Sequence, residues 1–176
     1  MIYLFLADGF EEIEALSCVD ILRRAELEVE TVGVTGKRVN GAHGITVDAD
    51  ITIDACGEAE VLILPGGSVG TNNLAASAEL AKLLKSAADR GAYLAAICAA
   101  PTVLGGLGLL DGKCAVCYPG LEDKLLGADK RTDRVCVDGK IITSRGPGTT
   151  AEFALTLVEI LKGRGVADSL RKGMLW

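Results

Sequence analysis

Aromatic residues make up only 4% of this 176-residue chain, and there is a single histidine, His43. A hydrophobic fraction of 49% with so few rings implies a core of Ala, Val, Leu and Ile. Such a core suits a parallel sheet covered by helices better than an aromatic-rich β-sandwich. Basic stripes are missing too: 18 Lys and Arg are scattered among 24 Asp and Glu, for a net charge of −6. Binding to nucleic acid by neutralising phosphates is therefore not expected. No long hydrophobic run occurs. The first apolar stretch, Met1 to Ala7, lacks a basic flank and stops at Asp8, too short for a signal peptide or a transmembrane span. The expected location is the cytoplasm, with no membrane partner. Neither G-x-G-x-x-G nor a Walker pattern follows a strand, so no nucleotide cofactor is expected. Linkers and repeats are absent, and residues 1–176 read as one domain.

Six cysteines are present, at 18, 56, 98, 114, 117 and 136. A chain of this size needs no disulfide staples, and reduced thiols are the default. Cys114 and Cys117 form a C-x-x-C pair, but no second ligand pair accompanies it and His43 is far away in sequence, so no metal is expected. The 22 glycines are dispersed among apolar runs, as in a fold with many tight turns.

Short apolar runs alternate with helical patterns, the signature of βαβ units in an α/β fold. Strands are predicted at Ile2–Ala7, Glu28–Val34, Glu60–Leu64, Tyr93–Ile97, Lys113–Cys117, Val135–Val137 and Ile141–Thr143. Asp8 with Glu11 three residues on reads as a capping box opening a helix to about Ala25. The stretch 35–50 reads as turns with a short hairpin. Further helices are predicted at Ser77–Arg90, after Cys98 with Pro101 in the first turn, at Gly148–Leu161, and after Gly165.

Cys98 stands where a fully apolar strand turns directly into a helix. Residues there lie at the carboxyl edge of a parallel sheet, where ligand crevices form, and at a helix start, where amides favour an anionic thiolate. Stepping 100° per residue along the first helix, Glu14 falls between Ile21 and Ala25 and shares a face with Cys18. The polar arc, Ser17, Asp20, Arg23 and Arg24, lies opposite. A carboxylate on the apolar face must find a partner or keep its proton. Pro65–Gly66–Gly67 ends another strand, and its glycine amides could approach a ligand as oxyanion donors.

Four motifs occur in order: Ala7–Asp8–Gly9–Phe10–Glu11–Glu12–Ile13–Glu14, Leu64–Pro65–Gly66–Gly67, Ala95–Ala96–Ile97–Cys98–Ala99–Ala100–Pro101, and Ser144–Arg145–Gly146–Pro147–Gly148–Thr149. Together they resemble the ThiJ/PfpI superfamily, in the branch of the parkinsonism-associated deglycase (DJ-one) and its bacterial relatives. The resemblance implies a flavodoxin-like three-layer sandwich with a nucleophile-elbow cysteine, a homodimer, and no cofactor or metal. It also implies that Cys98 is the reactive, oxidation-prone cysteine and Glu14 the protonated glutamate that contacts it. Gly66, Gly67 and Ala99 are then the backbone donors. His43 matches a basic position that reaches toward the partner subunit's site in relatives. Two departures stand out: Ala99 replaces the histidine of protease-like members, and Tyr118 replaces a histidine found before the proline in many close relatives. A peptidase is therefore not expected. The implied activity is on reactive carbonyls, either hydration of methylglyoxal or glyoxal or removal of early glycation adducts. The alternative is a redox sensor or oxidative-stress chaperone using the same cysteine.

Overall fold

The computed structural model describes residues 1–176. From the amino end, β1 (Ile2–Leu6) leads to α1 (Glu12–Arg24) and β2 (Val29–Gly33). Three short strands follow: β3 (Arg38–Asn40), β4 (Thr46–Asp48) and β5 (Ile51–Thr52). Next come β6 (Val61–Leu64), α2 (Ser68–Ala76), α3 (Ala78–Asp89), β7 (Tyr93–Ile97) and α4 (Pro101–Gly106). The remainder is β8 (Cys114–Ala115), β9 (Asp129–Lys130), β10 (Val135–Asp138), β11 (Ile141–Ser144), α5 (Thr150–Lys162) and α6 (Arg164–Gly173).

Seven strands form one sheet in the order β10-β11-β7-β6-β1-β2-β5, parallel except for β10 against β11. Because side chains alternate along a strand, β1 feeds two cores. Ile2, Leu4 and Leu6 pack with α1 and α5, whereas Tyr3 and Phe5 pack with α3 and α4. Helices thus cover both faces, the helix-covered sheet expected from the composition and the three-layer sandwich that the resemblance implied. Phe153 on α5 is fully buried in the first core. Phe153→Ala is expected to lower unfolding free energy by about 3–5 kcal/mol, through lost burial and a residual cavity, as read by urea denaturation. No helix is long and apolar enough to cross a membrane.

Three expectations need correction. Asp8 does not cap α1. The chain turns at Gly9 (φ +84°), and Glu11 becomes the cap, its side chain accepting the Glu14 amide at 2.8 Å. Asp8 instead accepts the Asn40 amide at 2.8 Å, tying the β3–β4 hairpin to the end of β1. The strand expected over Lys113–Cys117 shrinks to Cys114–Ala115, paired with β9 outside the main sheet. Side chains take its backbone donors: the Cys114 amide goes to Asp138 at 2.9 Å and the Val116 amide to Thr143 at 3.0 Å. Finally, α2 was not anticipated. Its sequence, SVGTNNLAA, is rich in weak helix formers. Tertiary bonds hold it: Gly70 N to Gly9 O at 3.0 Å and Asn73 Nδ2 to Asp8 O at 2.7 Å.

Candidate active site

Three strand ends converge at the carboxyl edge of the sheet. β7 delivers Cys98, β6 delivers Gly66 and Gly67, and the turn after β1 delivers α1 with Glu14. Cys98 has φ +64°, a left-handed conformation that is uncommon and costly without glycine. Its neighbours impose it. The Cys98 amide donates to Ser144 O on β11 at 3.0 Å, and its carbonyl accepts the Tyr118 amide at 2.8 Å.

Glu14 is 1% exposed, on the apolar face of α1 between Ile21 and Ala25. Its Oε2 accepts the Gly66 amide at 2.7 Å, while Oε1 is buried without a hydrogen-bond partner. Gly66 is pressed between the two reactive side chains: a Cβ there would lie 2.6 Å from Cys98 Cβ and 2.7 Å from Glu14 Oε2. Only glycine lets the carboxyl and the sulfur stand so close.

Burial pushes the Glu14 carboxyl up from 4.5 to about 7, against the Gly66 amide and the Cys98 thiol, which pull it down. Burial, and then the Glu14 charge, push the Cys98 thiol up from 9.0 to about 12, against hydrogen bonds from the Gly67 and Ala99 amides. The acidic thiol expected from a helix start is therefore not what the surroundings favour. At six residues, α4 is short, and desolvation with an adjacent carboxylate outweighs its dipole. Fully buried Cys18 is likewise pushed to about 12. What sets Cys98 apart is a cavity at its side chain and a carboxyl beside it, not resting acidity. If the proton sits on Glu14, the charge opposing a Cys98 thiolate disappears.

In front of the sulfur lies a cavity of about 410 Å³, lined by Cys98, Ala99, Thr102, Tyr118, Pro119 and Leu121 on one side. Ser68, Thr71 and Asn72 of α2 and Lys124 complete it. Of the three amides expected as oxyanion donors, that of Gly66 is committed to Glu14, and those of Gly67 and Ala99 pull the Cys98 pKa down. Tyr118 lines the cavity, half exposed. His43 does not. It sits in the β3–β4 loop, its Nδ1 2.8 Å from Glu12 Oε2 and its amide 2.6 Å from Glu12 Oε1. The carboxylate raises the His43 pKa, and His43 lowers that of Glu12 against the effect of burial. Glu11, Glu12 and His43 bring ligand atoms within 4.8 Å of one another, but helix capping and their mutual pairing already occupy those atoms. All six cysteines are free.

The α2 wall was the part that sequence reasoning missed. Residues 68, 71 and 72 share one helical face, a signal legible only once α2 is known to exist.

The DJ-1/PfpI family profile matches residues 1–160. The Parkinson disease protein 7 homolog of Danio rerio is 39% identical over 97% of this chain and 94% of its own length. The glutathione-independent glyoxalase DJR-1.2 of Caenorhabditis elegans is 36% identical over 92% of this chain and 88% of its own. The solved structure of oxidized Toxoplasma gondii DJ-1 superposes with a TM-score of 0.96 at 38% identity, covering 99% of this chain and 97% of that one.

Proposed function

The chain belongs to the DJ-1/PfpI family, and from that membership we propose that it is a cysteine-dependent enzyme acting on small reactive carbonyls. The carrying observation is the pairing of Cys98, held on a positive-φ turn at a cavity, with a buried carboxyl whose Oε1 lacks a partner. The relative from C. elegans that bears a glyoxalase name supports the substrate class.

For methylglyoxal the Cys98 sulfur adds to the aldehyde carbon while its proton passes to Glu14. The aldehyde oxygen becomes an alkoxide, stabilised by the Ala99 amide on the cavity wall. Reprotonation gives a hemithioacetal. A proton then leaves the former aldehyde carbon and another arrives at the neighbouring carbon through an enediol, producing a lactoyl thioester. Water cleaves the thioester, releasing lactate and restoring the thiol. The net reaction adds one water. For a glycated amine the carbon–nitrogen bond of the adduct breaks as the carbon–sulfur bond forms, and Glu14 returns its proton to the leaving amine.

Incubation with methylglyoxal, without glutathione, is expected to give one lactate per methylglyoxal consumed. No lactate above a heat-denatured control would overturn the reading. On the same reading the protein acts in the cytoplasm as a homodimer, with His43 reaching toward the partner's site. Sedimentation velocity tests the oligomer.

A second reading is favoured by the relative from Toxoplasma gondii solved in an oxidized form and by the Gly67 and Ala99 amides, which pull the Cys98 pKa down and would also stabilise a sulfinate. The protein would then sense peroxide. Graded peroxide followed by mass spectrometry separates the two: two oxygens added at Cys98 before any other cysteine supports sensing, and uniform oxidation of all six opposes it.

A further inference from the structure

The cavity before Cys98 exceeds what a three-carbon carbonyl needs. At about 410 Å³ it falls in the range of sites that enclose ligands of many heavy atoms. Part of its wall is polar. Ser68, Thr71 and Asn72 project from one face of α2 and offer two hydroxyls and an amide. Thr71 lines this wall with its hydroxyl buried and without a hydrogen-bond partner, an uncommon state.

Lys124 is the one cationic residue on this wall, and no carboxylate lines the cavity. The acids beside it in sequence are engaged elsewhere: Asp123 pairs with Lys130 at 3.0 Å, and Glu122 accepts the Gly120 amide at 2.7 Å. A positive, donor-rich wall in a chain of net charge −6 selects for an anion.

Building on the carbonyl reading above, we propose that the wall formed by Ser68, Thr71, Asn72 and Lys124 binds the carboxylate tail of the substrate. The preferred substrates are then 2-oxoaldehydes carrying a carboxylate rather than methylglyoxal itself. Cys98 attacks the aldehyde end while the tail lies against α2. The chemistry is unchanged: 4,5-dioxopentanoate plus one water gives 2-hydroxyglutarate.

Two measurements test this. With wild-type protein, kcat/KM for 4,5-dioxopentanoate should exceed that for methylglyoxal by about tenfold, as a charge-assisted contact supplies. Lys124→Gln should erase most of that preference, mainly through KM, and added salt should erode it in wild type only. Binding of 4-oxopentanoate, which has the tail but no aldehyde, is read by calorimetry independently of turnover. It should be about tenfold tighter than 2-pentanone, and it should weaken in both Lys124→Gln and Thr71→Val. Equal affinity for the two ketones, or an unchanged affinity in Lys124→Gln, would overturn the subsite. Failure to turn over either aldehyde, with Lys124-dependent binding intact, would overturn the carbonyl chemistry and leave the subsite standing.

Discussion

Methylglyoxal turnover should fall by about 10²- to 10⁴-fold in Glu14→Gln, the range attributed to a positioned general acid–base, and to background in Cys98→Ala. Gln keeps the size of Glu14 and can still accept the Gly66 amide, so the fold around the site persists. It cannot accept the thiol proton. With the thiol lifted to about 12 and Glu14 at about 7, Glu14 is the acceptor that lets sulfur attack near neutrality. In wild type kcat/KM should therefore rise as pH passes through about 7, and this step should vanish in Glu14→Gln. Equal profiles would mean that Glu14 does not take the proton.

The same titration changes stability in the opposite sense. A carboxyl raised by folding from 4.5 to about 7 is protonated in the native chain while already ionised in the unfolded one. Its protonated burial is fully stabilising below about pH 4.5, and that advantage is lost as pH rises through 7. The loss is up to ~3 kcal/mol at the conversion of 1.36 kcal/mol per pH unit. Glu14→Gln has no such proton. The difference in unfolding free energy between the two proteins should thus shift in favour of the variant between pH 5 and 8, as measured by urea denaturation.

Gly66→Ala should be the second large effect. The added methyl would meet Cys98 Cβ at 2.6 Å, Glu14 Oε2 at 2.7 Å and Cys98 Sγ at 3.0 Å. None of these belongs to the free end of a flexible surface chain. Cys98 is locked by its backbone bonds, and Glu14 is 1% exposed and held by the Gly66 amide. Overpacking of this kind costs about 1–3 kcal/mol. The variant should be less stable by that amount and should lose turnover as well, because the carboxyl must move away from the sulfur. A variant as active and stable as wild type would show that the contact can relax freely.

Much of the site was legible because it depends on local rules. An apolar strand running into Cys98, a carboxylate at a buried helical angle and a Gly-Gly turn are each visible in short windows. The wheel put Glu14 on the apolar face, and only the resemblance named Cys98 as its contact. The role of the Gly66 amide was hidden, since its commitment to Glu14 spans 52 positions. The thiol's raised pKa was hidden for the same reason: it follows from burial and a neighbouring charge, both properties of the assembled site.

Periodicity and turn residues by themselves determined the α/β alternation, the strand over Ile2–Ala7 and the place of Cys98 at a strand end, because helix and strand periods act within a few residues. Only the tertiary structure decided that SVGTNNLAA is a helix, that Glu11 rather than Asp8 caps α1, and that Thr71 and Lys124 share a cavity with Cys98. Those outcomes rest on contacts between distant segments, whose energies outweigh local propensity and leave no trace in a short window of sequence.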